Sequence, residues 1–187
     1  GGLLGPVTEA QGDHLRRIEE RLRALDRAIG QLLTIARARD LSREIPDVAV
    51  DLADLAAQTA RIFGDEARSR GLKLEVTAEP HLPLVASGVD LLGEMMENLL
   101  SNALKHAPGT PVEVRVGPDK FLNAREVQLE VRDFGPGIAP EHLPHLFERF
   151  YRVDKARSRA LGGSGIGLTI AKALIEAQHG RIWAESA

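Results

Sequence analysis

Glu94, Asn98, Asn102 and Lys105 recur at steps of four, four and three residues within GEMMENLLSNALKH. On a helix turning by about 100° per residue, with Glu94 at zero, Lys105 falls at about 20°, Asn98 at about 40° and Asn102 at about 80°. Leu92, Met95, Met96, Leu99, Leu100, Ala103 and Leu104 fill roughly 100° to 280° of the same wheel. One narrow edge thus gathers a carboxylate, two amides and an ammonium beside a broad apolar face. Amide and carboxylate oxygens are hard ligands that suit Mg2+ and its waters. A lysine one turn away suits phosphate. A charged stripe alone is ordinarily a solvated helix face. Two asparagines in mid-helix weigh against that, because Asn is a poor helix former whose side chain competes for backbone hydrogen bonds.

Two glycine turns follow. Asp133-Phe134-Gly135-Pro136-Gly137 comes directly after the alternating run VQLEVRD. Glycine allows positive φ and close approach of the backbone to a ligand, and an Asp at a strand end can accept a hydrogen bond from an exocyclic amine. Gly162-Gly163-Ser164-Gly165-Ile166-Gly167 opens the next helical run, where free backbone amides favour phosphate. Arg149, Arg152, Lys155, Arg157 and Arg159 lie between the two turns. Either turn alone reads equally as structural; beside the polar helix edge, both point to a phosphorylated nucleotide. Asp-Phe-Gly is also the metal-binding tripeptide of protein kinases, but their strand lysine and catalytic HRD loop are missing. The turn at 162–167 lacks the lysine of a P-loop and the spacing of a dinucleotide fingerprint.

These residues need elements to hold them. The run 88–107 reads as a helix ending before Pro108. KLEV (73–76), LPLVAS (82–87), PVEVRV (111–116), VQLEVRD (127–133) and RIWAES (181–186) read as strands. Residues 51–70 read as an amphipathic helix closed by Gly71, 142–151 as a short helix and 165–179 as another. Residues 40–51, with Pro46, read as a linker. From His14 to Arg39, Leu15, Ile18, Leu22, Leu25, Ile29, Leu32 and Ala36 repeat at alternating three and four spacing. That is the a/d seam of a helix that must pack on another helix, with Asp13 as its expected N-cap. The order predicts an α+β fold: a two-layer α/β sandwich, one mixed sheet with helices on one face, preceded by a long heptad helix.

Composition narrows the classes. With 24 basic and 27 acidic residues in 187 the net charge is −3, so nothing global points to nucleic acid or an anionic membrane. There is no cysteine, which removes disulfide, thiolate and cysteine-zinc chemistry. Five Phe, one Trp and one Tyr are too few for base-stacking surfaces. No run is apolar for the ~20 residues of a membrane span.

MENLLSNALKHAP, DFGPGI, LFERFYRVD and GGSGIGLTIAKALIEAQHG resemble the N box, first glycine box, F box and second glycine box of bacterial sensor histidine kinases. These belong to the superfamily of DNA gyrase B, MutL and heat-shock chaperone ATPases, abbreviated GHKL. All four boxes stand in family order across residues 88–180. QLLTIARARD resembles the end of the family's second dimerisation helix. The resemblance implies residues 1–45 as part of a dimerisation and histidine-phosphotransfer region, and 46–187 as a catalytic ATP-binding domain without its last strand. It implies ATP and Mg2+ as cofactors, with Asn98 on the metal. Asn102 and Lys105 would support sugar and phosphates, and Glu94 would be a supporting or proton-accepting carboxylate. Asp133 would read the adenine amino group, with Gly135 and Gly137 shaping its pocket. Arg152 would sit near the γ-phosphate. Gly163, Ser164, Gly165, Ile166 and Gly167 would wrap the phosphates, with Leu168 beneath. Phe147 and Phe150 would anchor a lid spanning 152–164.

By the same resemblance, the activity is transfer of the γ-phosphoryl group to a histidine, for relay to the receiver domain of a response regulator. The parent would be a homodimer with a cytoplasmic catalytic part, meeting membrane only through segments outside this sequence. The alternatives are a GHKL-type ATPase or ATP-gated clamp, and a non-catalytic dimerisation module. One departure is plain. The family's acceptor box has His, then an acid, then Pro five residues after the His, and none of His14, His81, His106, His142, His145 or His179 fits it. The acceptor is expected outside these 187 residues.

Overall fold

A Thr-x-x-Gln box opens the first helix. The Thr8 Oγ1 accepts from the Gln11 amide at 3.3 Å, and the Gln11 Oε1 accepts from the Thr8 amide at 3.0 Å. This reciprocal cap satisfies two otherwise unpaired donors, so helix α1 (Glu9–Leu41) begins a turn before Asp13. Asp13 is therefore not the N-cap; it pairs with Arg16 on the helix surface. The computed structural model describes residues 8–41, 48–107, 109–119, 126–154 and 164–186.

Strand β1 (Val48–Val50) lies where a linker is expected and pairs antiparallel with β3 (Val85–Ser87), Ala49 facing Ala86. Helix α2 (Leu52–Ser69) is capped by Asp51, whose carboxylate accepts from the amides of Ala53 and Asp54 at 2.9 and 3.0 Å. It closes on Gly71 at φ 69°, with the Leu72 amide reaching the Ala67 carbonyl and the Gly71 amide the Arg68 carbonyl. These two hydrogen bonds with a left-handed glycine form a Schellman motif, at the C-cap glycine the sequence predicts.

The main sheet runs β2 (Leu74–Ala78), β4 (Val112–Pro118), β5 (Val127–Asp133). β2 and β4 are parallel, β4 and β5 antiparallel. On β4 the valines 112, 114 and 116 are buried, while Glu113 and Arg115 pair on the other face. Against the valine face pack α2 and α3 (Val89–His106), with α4 (Gly167–Ala177) against α3; the core so formed buries Met96, Leu100, Leu104, Ile170 and Leu174. This is the mixed sheet with helices on one face that the pattern predicts.

α3 and α4 run antiparallel, tied by one side chain. Gln178, just past α4, accepts through Oε1 from the Gly88 amide at 3.1 Å and from Ser87 Oγ at the start of α3. Both helices rise about 1.5 Å per residue, so the other end of α4 falls beside the middle of α3. α1 packs along α4.

Two expected elements differ. Residues 142–151 form one 3₁₀ turn, Leu143–His145, followed by tight turns. Pro144 interrupts the backbone ladder, and Phe150 at φ 63° cannot continue a helix. Residues 181–186 alternate in burial as a strand does, yet are not paired into a ladder among the described residues. Side chains anchor them instead: Arg181 to Glu126, and Ser186 Oγ to the Ile138 amide at 2.8 Å.

Candidate functional site

The polar edge of α3 and the start of α4 converge. The Asn98 side-chain NH2 donates to the Glu94 backbone carbonyl at 2.8 Å. This fixes the amide and leaves its Oδ1 as an acceptor aimed at α4. A Cβ placed on Gly167, the first residue of α4, would lie 3.2 Å from that oxygen. Glycine keeps the space open where the helix N-terminus presents its unpaired amides. Asn102 and Lys105 follow on the same half-buried edge. Glu94 stands one turn earlier, and its Oε1 accepts from Thr34 Oγ1 of α1 at 3.1 Å. No periodicity or motif singles out Thr34; only the packing of α1 brings it here.

The first glycine turn closes the other end of α3. β5 ends at Asp133, exposed, paired in register with Val112. Its Oδ1 accepts from the Gly135 amide at 2.9 Å. A Cβ on Gly135 would lie 2.9 Å from that oxygen and 3.0 Å from the His106 carbonyl, so only glycine lets the turn press on the end of α3. Gly137 follows at φ 75°. Phe134 stays partly exposed, with the Arg132 guanidinium 4.8 Å from its ring centre.

The F box and the second glycine turn form a clasp. The Phe150 amide donates to the Gly165 carbonyl at 2.9 Å, and Gly165 sits at φ 72°. Phe150's ring is exposed, so its hold on the clasp is through backbone; Phe147 is half-buried, with Lys172 Nζ 5.8 Å from its ring centre. Tyr151 reaches His142 Nδ1 at 2.7 Å, and half-buried Arg152 follows. Ser164 Oγ accepts from the Ile166 amide at 3.3 Å. Ile166 is buried in the core, so only its backbone is available to a ligand; Leu168 is half-buried. Gly163 and most of the expected lid, including Lys155, Arg157 and Arg159, lie outside the described residues.

The structure therefore brings together Glu94, Asn98 and Gly167 at mid-α3, Asp133 and Gly135 at its C-terminal end, and Gly165 with Phe150 beyond the start of α4. Among the described residues no group of three or more His, Cys, Asp or Glu could hold a metal. The donor set here is an amide oxygen beside helix amides, which fits a hard cation whose other ligands come from phosphate and water.

Residues 88–187 match the family described as histidine kinase-, DNA gyrase B-, and HSP90-like ATPase. The chain belongs to that family. Among curated relatives, the sensor histidine kinase CusS of Escherichia coli K12 is 38% identical over 165 residues, covering 87% of this chain and 33% of CusS. The chain thus spans about a third of the length of that relative. Among solved structures, full-length ShkA in complex with AMPPNP superposes at a TM-score of 0.74 with 23% identity, over 97% of this chain and 38% of that one. The histidine kinase ThkA, in complex with the response regulator protein TrrA, superposes at 0.70 with 18% identity, over 96% and 48%. These superpositions show that this ATPase-family chain shares their fold.

Proposed function

We propose that this chain is the ATP-binding catalytic portion of a two-component sensor histidine kinase. Its reaction would be transfer of the ATP γ-phosphoryl group to a histidine on the dimerisation helices. The convergence of Asn98 Oδ1 on Gly167 supports this reading, because an amide oxygen of the kind that suits Mg2+ would face a helix start of the kind that suits phosphate. Asn98 would hold Mg2+ between the phosphates, with Asn102 and Lys105 on sugar and phosphate. Asp133 would accept from the adenine amine, with Gly135 and Gly137 shaping that pocket. Gly163, Ser164, Gly165, the Ile166 backbone, Gly167 and Leu168 would surround the phosphates, and Arg152 would approach the γ-phosphate. When bound, the metal supplies charge neutralisation on the transferred group. The protein's share is orientation and preorganised donors. Glu94 would be a supporting or proton-accepting carboxylate.

Residues 1–45 would belong to the dimerisation region and 46–187 to the catalytic domain. The exposed seam of α1 supports pairing with further helices in a homodimer. ThkA is in complex with a response regulator protein, which supports a receiver domain as the downstream partner here. No helix among the described residues is long and apolar enough to cross a membrane; a cytoplasmic site in a membrane-anchored parent fits the reaction.

The test is titration calorimetry with Mg-ATP on the parent, Asn98→Ala and Asp133→Asn, followed by label transfer to an added domain carrying the family's His box. Asn98→Ala is expected to abolish detectable Mg-ATP binding. Asp133→Asn is expected to weaken binding by about tenfold or more, the loss for a hydrogen bond to a charged group. Parent-like binding by both variants would refute the site. Steady hydrolysis with no transfer to histidine would favour the ATP-gated clamp instead.

A further inference from the structure

We propose that Thr34 is a latch between α1 and the metal-bearing edge of α3, so that docking of α1 and loading of magnesium-bound nucleotide compete for Glu94. This rests on the ATP-site reading above. Glu94 is held from two sides: its backbone carbonyl accepts from Asn98, and its carboxylate accepts from Thr34 across 60 residues of chain. The residue that orients the metal ligand is thereby also the residue that grips α1. Thr34 lies roughly 100° to 180° around α1 from Leu15, Ile18, Leu22, Leu25, Ile29 and Leu33. Those six are each 50–60% exposed, so α1 meets the ATPase domain through the side that carries Thr34 and keeps these six outward. The hydroxyl–carboxylate bond is thus one of the contacts that hold α1 on the domain.

A divalent cation on Asn98 Oδ1 changes the balance. Asn98 lies one helical turn from Glu94, and the waters of a cation held there would offer the carboxylate strongly polarised donors. A neutral hydroxyl is the weaker donor. Metal loading draws Glu94 away from Thr34 and loosens α1; by reciprocity, a docked α1 weakens metal-nucleotide binding by the same factor. Nucleotide without metal brings no such cation and leaves the latch closed. Movement of α1 would then set the loading of the site without touching the nucleotide.

The experiment is calorimetry on the full chain with adenylyl imidodiphosphate, with Mg2+ and with chelator. Thr34→Val is expected to bind the magnesium form about two- to fivefold tighter and the metal-free form as the parent does. Thr34→Ser is expected to match the parent in both. In a Glu94→Gln background, where the charge is gone, Thr34→Val is expected to change nothing. In the parent, the magnesium-bound analogue is expected to speed amide exchange around Thr34. Unchanged or weaker magnesium-form binding in Thr34→Val, or increased protection of α1 on loading, would overturn the latch alone. A parent that binds neither form would overturn the ATP-site reading with it.

Discussion

Helices α1 and α3 carry the same kind of apolar periodicity and meet opposite ends. On α3, Met96, Leu100 and Leu104 are 1–2% exposed, because the valines of β4 and the inner face of α4 close over them. On α1, the seam residues Leu15, Ile18, Leu22, Leu25 and Ile29 stay 50–60% exposed, because the helix meets the domain through the side that carries Thr34. Burying a leucine fully is worth about 1.5–3 kcal/mol, so the seam leaves much of that unrealised. The difference lies in the partners, not the pattern. Periodicity gives a helix an apolar face, and only the rest of the fold decides whether that face is filled.

The comparison breaks most directly at Leu100. Leu100→Ala removes a fully buried side chain from the core that α3 shares with α4 and the sheet. It is expected to cost about 2–5 kcal/mol, read as a lowered urea midpoint at unchanged slope. A loss below about 1 kcal/mol would mean that the α3 face is not the centre of the core.

Glycines sharpen it with opposite signs. Gly165 sits at φ 72°, and an added Cβ would lie 3.1 Å from Phe150 Cα, Phe150 C and Tyr151 O. Gly165→Ala is expected to lose about 1–3 kcal/mol, from the left-handed backbone and from backbone atoms that cannot move aside. Gly30, inside α1, meets nothing within 4 Å. Gly30→Ala is expected to gain up to about 1 kcal/mol, through helix propensity and a less free unfolded chain. Thermal unfolding of the two variants checks both. Equal signs would mean that the clasp is not strained or that the space at Gly30 is not open.

What could be read from the sequence follows the same division. The polar edge of α3 and the two glycine turns are legible because helical spacing and a required backbone geometry are local facts. Asp51 and Gly71 bound α2 as expected for the same reason. The start of α1 is misread from the sequence: Thr8 with Gln11 outcompetes Asp13, since a reciprocal cap pairs two donors where Asp13 would pair one. β1 is three residues long and exists by pairing with β3, far along the chain; nothing local announces it. RIWAES alternates as a strand should, but a ladder needs a neighbour in register. Thr34 on Glu94 and Gln178 on Gly88 are products of docking, invisible to any window of sequence.

The smallest effect is the most telling for α1. Leu22 is 60% exposed, more than Leu15, Ile18, Leu25 or Ile29. Leu22→Ala in this chain at low concentration removes apolar surface that mostly faces water and places a better helix former in its position. The expected change is within about 0.5 kcal/mol, measured by urea unfolding beside Leu100→Ala. The same substitution should grow costly in a longer chain that supplies further helices, where the seam acquires knobs to pack against. A loss of about 2 kcal/mol or more already in this chain would mean that the seam is covered in solution. A dependence of that loss on protein concentration would name a second copy as the cover.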